Sequence, residues 1–237
     1  MIRSRTFART AASLAVAALA LSACGTTEVS EAADVASATS ESCAADTTTT
    51  STGAVSMTDG VGRTVELDKP AERIAVLEWQ QIEDALTLCV TPVAVSDAEG
   101  YGTYVSAETL PEGVVDIGTR GEPDMDALYA ADPDLIIVEA YSADDELIAQ
   151  LEERGVPVLA TVGADGADPI GNMKNVFTMI AEATGRTDRA ANVLGDFDAH
   201  LAAAKDKVQA VDLPTTDFLF FDGWMEGGNV VIRPYGE

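Results

Sequence analysis

Side chains that could take part in catalysis are few in this 237-residue sequence. A single histidine, His200, excludes a histidine pair at a zinc site and would leave a Ser-His-Asp triad dependent on one residue. The carboxylates of Asp144, Asp145 and Asp222 could act as acid and base, but such groups occur by chance in a chain with 40 acidic residues. They are accompanied by neither a nucleophile elbow nor a phosphate loop. The residue types therefore indicate a protein that is not an enzyme.

One arginine is a candidate for binding a ligand. Arg120 follows a short apolar run, and the glycines Gly118 and Gly121 beside it leave its side chain free to project. A guanidinium group presents several N–H donors in a planar fork, which suits an oxygen-rich ligand. The alternative is a salt bridge between Arg120 and one of the many carboxylates.

The net charge of −26 excludes one large class of partners. A chain this acidic repels a phosphate backbone, so we expect no binding to nucleic acid. The hydrophobic fraction of 47% is typical of a globular protein and argues against disorder of the whole chain.

Residues 1–23 have the pattern of an export signal. Three arginines precede an uncharged run from Ala11 to Ala23, which is too short for a permanent membrane span. The run leads into Leu21-Ser-Ala-Cys24, which resembles the lipobox of bacterial lipoproteins. In that class the signal is cleaved before the cysteine, which then carries acyl chains. The resemblance implies an exported protein that begins at Cys24 and is lipid-anchored to the outer face of the bacterial cytoplasmic membrane; the alternative is an ordinary secretory signal.

Residues 24–54 predict an acidic tether rich in serine and threonine. No Lys or Arg occurs between Arg9 and Arg63, and the segment has little apolar surface to offset the entropy of ordering. We therefore expect a flexible spacer between the membrane and a folded body that begins near Val55.

Cys43 and Cys89 are the two thiols that remain beyond Cys24. In an oxidising compartment, their even number allows a disulfide that ties the tether to the folded body. Cys89, at the end of a predicted helix, could equally be a small buried hydrophobic residue. Sequence spacing does not establish the geometry of a bridge, so both alternatives stay open.

Residues 55–170 predict an N-terminal α/β lobe. Short apolar runs suited to buried strands alternate with segments of helical spacing. The predicted strands are 73–77, 93–95, 114–117, 134–138 and 156–162, the predicted helices are 78–89, 125–131 and 144–154, and a loop is predicted over 96–109. This alternation argues for a parallel sheet covered by helices.

Residues 171–210 predict a long helical element with at most one break, near Gly185. Apolar residues spaced for its inward face include Val176, Phe197 and Val208. Residues 211–237 then predict a strand at 218–221 and a hairpin through Gly227-Gly228 to a strand at 230–232. Because a lone hairpin is marginally stable, we interpret this part as the truncated start of a second α/β lobe.

Several ordered motifs resemble one family. The segments 58–65 and 70–77 look like the opening of ABC-transporter substrate-binding proteins for iron–siderophore and cobalamin-type cargo. Within that group, Val76-Leu-Glu-Trp79 and Asp116-Ile-Gly-Thr-Arg-Gly-Glu-Pro123 are similar to the ferric-hydroxamate branch, and the similarity extends from about Ser56 to Tyr235. The resemblance implies two α/β lobes joined by a rigid helix, with the ligand in the cleft between them.

The resemblance also implies which residues bind the ligand. The arginine that matches Arg120 contacts the siderophore in that family, and the family places aromatic residues at Tyr104, in a glycine-rich loop, and at Tyr141. A hydroxamate siderophore saturates iron with its own oxygens, so no protein metal ligand and no cofactor are expected. Further candidates, all aromatic or cationic, are Trp79, Tyr101, Trp224, Arg233 and Tyr235. Loop tyrosines are also common surface anchors, and Trp79 has the helical spacing of a core residue.

The expected partners are a ferric siderophore, an ABC permease and the membrane, with the protein itself a monomer. Family members dock to the permease through acidic residues, and Asp126 matches such a position, with Glu122 nearby. Alternatively, both acids simply stabilise a helix N-terminus. The acidity is compatible with a neutral or cationic ferric complex and a permease that presents arginines. Alternative functions are another cargo (catecholate siderophore, haem or cobalamin) or a truncated, inactive surface lipoprotein.

Overall fold

The structure, a computed structural model, describes residues 41–212, 215, 217 and 221–234. Strands and short helices alternate up to residue 161, and two longer helices and a hairpin follow. In the part so described, no helix is long and apolar enough to cross a membrane. In chain order the elements are α1 (Glu41–Ala44), β1 (Val55–Thr58), β2 (Thr64–Leu67), β3 (Ile74–Val76), α2 (Trp79–Thr87), β4 (Ala94–Val95), α3 (Ala98–Tyr104), β5 (Val115–Asp116), α4 (Met125–Ala130), β6 (Leu135–Glu139), α5 (Glu146–Leu151), β7 (Val158–Thr161), α6 (Pro169–Ala183), α7 (Thr187–Gln209), β8 (Phe221–Glu226) and β9 (Asn229–Pro234).

Five parallel strands form the central sheet, in the spatial order β5-β4-β3-β6-β7. Strand β3 and the first four residues of β6 are apolar and buried because helices cover both faces of the sheet. The predicted α/β class and the predicted strands are thus confirmed. The antiparallel hairpin of β1 and β2 was not among the predicted elements.

Alternate residues of each strand pack into two separate hydrophobic clusters. Ile74 and Val76 belong to one cluster, together with residues of α2, α6 and the β1–β2 hairpin. Ala75 and Leu77 belong to the other, together with residues of α4 and α5. This is the period of two expected for a strand buried on both faces.

The segment 96–109 contains a helix where the sequence predicted only a loop. Its two glycines weaken helix propensity, so the segment does not read as a helix from composition. In the structure, the Asp97 side chain accepts a hydrogen bond from the backbone N–H of Gly100 at 3.1 Å and caps α3. The buried side chain of Tyr101 packs in the hydrophobic core and stabilises the helix there.

The long helical element is broken once, as predicted, at Gly185, which has a φ of 71°. The inward face predicted for α7 holds only in part. Phe197 and Leu201 are half-buried, but Val208 is 60% exposed. Residues 202–210, at the C-terminal end of α7, are all exposed, and Val208 therefore meets solvent.

The polypeptide is held to the folded body well before Val55. Residues 43–51, called here the N-terminal strap, carry a disulfide from Cys43 to Cys89 with a Cα–Cα distance of 5.4 Å. The strap also contributes Asp46, which forms an ion pair with Arg186, and Ser51, whose N–H donates to the carbonyl of Gly185 at 2.9 Å. The expectation of a flexible segment up to residue 54 is therefore wrong for the strap. Of the two alternatives for Cys89, the structure shows the bridge.

The predicted hairpin through Gly227-Gly228 is confirmed, with β8 and β9 joined by these two residues, both at positive φ. Positive φ at both turn positions is the conformation that favours glycine in two-residue hairpins. Of the strand predicted at 218–221, only Phe221 lies within the described residues, and it begins β8.

Asp84 on α2 makes the stability of the lobe depend on pH. Its Oδ2 is buried without a hydrogen-bond partner among the described residues, and desolvation raises the pKa of Asp84 to about 7. Because the folded state therefore binds a proton that the unfolded state releases near pH 4, stability falls as the pH rises from about 4 to 7. We expect Asp84→Asn to raise the free energy of unfolding by about 1–2 kcal/mol at pH 8, with little change at pH 4.

Urea unfolding at the two pH values measures this effect. The exposed Asp68→Asn is the matched control and is expected to change stability at neither pH. A lower stability of Asp84→Asn at pH 8 would contradict the prediction.

Candidate functional site

The candidate site lies at the carboxyl ends of the parallel strands. The chain proceeds outward from β3 to β4 and β5 and then returns to place β6 on the other side of β3. Open α/β sheets bind ligands in the crevice at such a reversal of strand order. The side chains at this position are Glu78 and Trp79, which follow β3, and Glu139, the last residue of β6.

Three candidate ligand-binding side chains lie in one stack. The Trp79 ring is 5.4 Å from the Tyr104 ring between centroids, with 25° between the ring planes. The guanidinium carbon of Arg120 lies 4.1 Å from the centroid of the Trp79 ring. The indole N–H of Trp79 donates to the carbonyl of Asp97 at 3.2 Å, which fixes the ring. The structure thus brings together residues from α2, α3 and the loop after β5.

Gly100 makes room for this stack. A Cβ built on Gly100 would overlap with the Cζ2 atom of Trp79, so a side chain here would displace the ring. Gly118, at a φ of 87°, turns the chain just before Arg120. These two glycines of the 96–121 region therefore serve the geometry of the site.

Arg120 forms the salt bridge that the sequence raised as an alternative. Its Nη1 donates to Oε2 of Glu78 at 2.8 Å. Burial raises the pKa of the Glu78 carboxyl, the Arg120 guanidinium opposes this rise, and the nearby Glu139 charge adds to it. The Arg120 side chain remains 40% exposed. Donors that the single bond to Glu78 does not use can therefore still reach a ligand.

Glu139 and Tyr141 lie at the carboxyl end of β6, next to the end of β3 from which the stack extends. The Tyr141 hydroxyl donates to Oε1 of Glu139 at 2.8 Å, and this hydrogen bond is the main reason that the pKa of Tyr141 is raised. The Tyr141 side chain is 66% exposed, and Tyr104 is 75% exposed. Large exposed aromatic side chains at this edge offer a surface for stacking against a ligand.

The structure differs from two predictions about this region. Tyr101, predicted to bind the ligand, is only 1% exposed and its hydroxyl donates to the carbonyl of Glu108 at 2.7 Å, so its side chain is not available to a ligand in this structure. Burial accordingly raises the pKa of Tyr101. Tyr104 lies at the end of α3 and not in a glycine-rich loop. Because α3 turns with helical periodicity, Tyr101 points into the core while Tyr104 points outward.

The remaining candidate residues lie either in the C-terminal hairpin of β8 and β9 or outside the described residues. Arg233 lies opposite Asp222 in the β8–β9 register, with 3.9 Å between Nη1 and Oδ2. The Arg233 guanidinium is 5.4 Å from the centroid of the Trp224 ring. Tyr235 and the predicted lipidation site Cys24 lie outside the described residues.

Several acidic residues that the sequence singled out have structural partners. The Asp145 carboxylate caps α5 by accepting from the N–H of Leu147, and Asp222 lies beside Arg233. Asp126, predicted to dock the permease, is almost fully exposed and forms a 3.1 Å ion pair with Arg154. The contacts of Asp145 with a backbone N–H and of Asp222 with Arg233 are structural, and they do not indicate that either carboxylate acts as an acid or base. Within the described ranges, no three His, Cys, Asp or Glu side chains are grouped as for a metal ion.

Glu78, Glu139 and Gly163 lie at the candidate site but were not predicted from the sequence. Each follows or ends a predicted strand on the carboxyl side, which is the signal that could have identified them. A Cβ on Gly163 would overlap with the carboxylate of Glu139. Only the fold shows that these residues from separate strands meet.

Comparison with known proteins decides the family. Residues 74–237 match the family described as periplasmic binding protein. The chain belongs to this family. The resemblance noted in the sequence to ABC-transporter siderophore-binding proteins is thereby confirmed, and the members of this family are binding proteins.

Two relatives are similar to more than half of the chain. The chain is 28% identical over 140 residues to the iron(3+)-hydroxamate-binding protein FhuD of Escherichia coli (strain K12), which is 59% of this chain and 44% of that protein. It is 29% identical over 194 residues to the "Probable siderophore-binding lipoprotein YfiY" of Bacillus subtilis (strain 168), which is 81% of this chain and 53% of that protein. The chain thus spans about half the length of these relatives.

A solved structure shows the same fold with a bound ligand. The siderophore-binding protein FhuD of Vibrio cholerae, in complex with Fe3+-Desferal, aligns with a TM-score of 0.52 at 28% identity. The alignment covers 58% of this chain and 51% of that protein.

Proposed function

We propose that this protein binds a ferric siderophore of the hydroxamate type outside the cytoplasm and delivers it to an ABC permease for iron uptake. The observation that supports this proposal best is the stack of Arg120, Trp79 and Tyr104 at the reversal point of a parallel sheet. The similarity to hydroxamate-binding relatives points to the same ligand class.

The chemistry of the stack suits a ligand whose iron is already saturated. Hydroxamate oxygens occupy the coordination sites of the iron, so the protein has to recognise oxygen atoms and apolar linkers. Arg120 donates hydrogen bonds to the oxygens, and the Trp79 and Tyr104 rings pack against the linkers. The bond to Glu78 holds the guanidinium over the indole, so little side-chain entropy is lost on binding.

The rest of the proposal concerns residues outside this stack. Trp224, Arg233 and Tyr235 are proposed to face the ligand from the second lobe. Asp126 and Glu122 are proposed to dock the permease through its arginines, which fits the exposure of both side chains. Cys24 is proposed to carry the lipid anchor, in keeping with the relative named a lipoprotein.

Replacing Arg120 tests the site directly. We expect Arg120→Gln to raise the dissociation constant for ferrichrome and ferrioxamine about 10- to 100-fold, because charge-assisted hydrogen bonds to the ligand oxygens are lost. Quenching of intrinsic tryptophan fluorescence on titration with each ferric complex measures the constant, with iron-free salts as the blank.

The matched control is Arg154→Gln. Arg154 also pairs with a carboxylate and lies over an aromatic ring, Tyr129, at 4.4 Å, but it belongs to none of the contacts of the stack. We expect its dissociation constant to equal that of the unmodified chain. Absence of binding by the unmodified chain to every ferric hydroxamate would refute the proposed function.

A further inference from the structure

The loops at the carboxyl ends of the five strands carry an excess of negative charge. The segments 77–78, 96–97, 117–124, 140–145 and 162–168 connect each strand to the next helix. They contain a single cation, Arg120, among eight Asp and Glu residues. A ligand that approaches this edge therefore meets a negative potential.

Four of these acids have a local role that reduces their effect. Their side chains accept hydrogen bonds from backbone N–H groups at the first turns of α3, α4, α5 and α6, where the positive end of each helix offsets the charge. These caps are Asp97, Asp124, Asp145 and Asp168. Glu78 makes no such side-chain bond, but its charge is matched by Arg120.

Glu139 is left without a matching charge. Its carboxylate accepts the hydroxyl of Tyr141, which is neutral, and no lysine or arginine of the described chain forms an ion pair with it. Glu139 also lies close enough to Glu78 for the two charges to interact unfavourably. The negative charge of Glu139 thus lies at the reversal point, beside the stack that is proposed to bind the ligand, and it adds to the charges of Glu122, Asp144 and Asp165 in the neighbouring loops.

The position of this charge is built into the fold. Glu139 ends β6, whose backbone is paired with β3 on one side and β7 on the other. Its carboxylate lies against Gly163, where a Cβ would overlap with it, and the Tyr141 hydroxyl holds Oε1. The carboxylate is therefore oriented before any ligand arrives.

We propose that Glu139 is a specificity-determining residue that selects a ferric complex carrying a positive charge. This inference rests on the proposed function and names the charge class of its ligand. Each hydroxamate contributes one negative charge, so a complex with three of them is neutral at the iron, and a free ammonium group on the chain makes it cationic. Glu139 attracts that charge, and it repels complexes of carboxylate and catecholate ligands, which are anionic.

The test compares two ligands that differ in charge and by one acetyl group. Equilibrium dialysis of the full chain with radioiron-labelled ferrioxamine B, which carries a free ammonium group, and with its N-acetylated neutral derivative gives two dissociation constants. We expect the unmodified chain to prefer the cationic complex about tenfold, or roughly 1.4 kcal/mol, and to lose part of this preference in high salt.

Variants separate a charge effect from a structural one. Glu139→Gln is expected to reduce the ratio of the two constants to about one. Tyr141→Phe removes the hydrogen bond but keeps the carboxylate, so it should retain the preference. Glu66→Gln, an exposed position on β2, changes the net charge equally and should retain it too.

The outcomes distinguish this inference from the function on which it rests. Equal affinity of the unmodified chain for both complexes, or an undiminished preference in Glu139→Gln, would overturn the role of Glu139 while leaving siderophore binding intact. Failure to bind either complex would overturn both.

Discussion

Replacing Arg186 by methionine is expected to lower the free energy of unfolding by about 3–5 kcal/mol, because the substitution breaks a buried ion pair from one side. Arg186 is 8% exposed and lies at the junction between α6 and α7. Its guanidinium pairs with Asp46 of the N-terminal strap, and its Nε donates to the carbonyl of Leu88 at 2.9 Å. A further bond reaches the Thr50 hydroxyl at 3.0 Å.

The large loss of stability is expected because Arg186→Met leaves two polar groups without their partner. Asp46 would keep its charge in a poorly hydrated position, and the carbonyl of Leu88 would lose its side-chain donor. Arg186 also joins three parts of the chain, namely the strap, the end of α2 and the start of α7, so its loss weakens each of these contacts.

Urea unfolding of Arg186→Met against the unmodified chain measures the change. Arg154→Met is the control, since the Arg154–Asp126 pair is exposed and such pairs contribute about 0–1 kcal/mol. An Arg186→Met variant that loses no more stability than this control would contradict the prediction.

Removing the Cys43–Cys89 bridge is expected to lower the free energy of unfolding by about 2–4 kcal/mol. The bridge closes a loop of sequence separation 46, for which loss of chain entropy in the unfolded state predicts about 4 kcal/mol. Cys89 has a φ of 65°, and the N–H groups of Cys89 and Val90 donate to Leu86 and Ala85, as in a helix C-cap that normally uses glycine.

Thermal unfolding of the double variant Cys43→Ser, Cys89→Ser, with and without reductant, measures the contribution of the bridge. The unmodified chain should unfold at a lower temperature in reductant, and the double variant should not respond to reductant. A double variant as stable as the oxidised chain would contradict the prediction.

The two predictions are coupled because both groups hold the same strap. If the bridge is absent, part of the Arg186–Asp46 contribution is lost as the strap moves away, so the combined loss should be smaller than the sum.

The bridge and the candidate site lie at opposite ends of α2. Trp79 begins α2 at the candidate site, and Cys89 follows the other end of the helix, about 14 Å away along nine helical residues. The disulfide thus attaches the strap at the end of α2 that lies opposite the candidate site.

Much of the fold was predictable from sequence for a definite physical reason. Strands β3, β6 and β7 consist mainly of apolar residues that are buried on both faces of the sheet, so their strand conformation could be predicted from the local sequence alone. The break at Gly185 and the two-residue turn at Gly227-Gly228 follow from the tolerance of glycine for positive φ. The motif around Arg120 likewise indicated a ligand-binding residue and, through the family it resembles, the ligand class.

Other properties depended on contacts between distant residues. The sequence left Cys89 open between a bridge and a core position, and only the fold brings Cys43 within reach. The helix α3 has weak local propensity and exists because Asp97 caps it and Tyr101 is buried, so Tyr101 could not be told from Tyr104 in advance. In the sequence, nothing distinguishes Glu78 and Glu139 from the other acidic residues, of which there are 40 in all. The pairing of β3 with β6 places the two side chains close together.

The sequence by itself thus determined the α/β class, the family and the presence of an arginine suited to an oxygen-rich ligand, because each of these depends on short-range patterns. Only the tertiary structure shows that the Arg120 side chain stacks on Trp79 and pairs with Glu78. It also decides where the charge of Glu139 lies relative to these groups. Charge balance at a site is a property of groups that are close in space, and strand order, which local patterns do not encode, sets those distances.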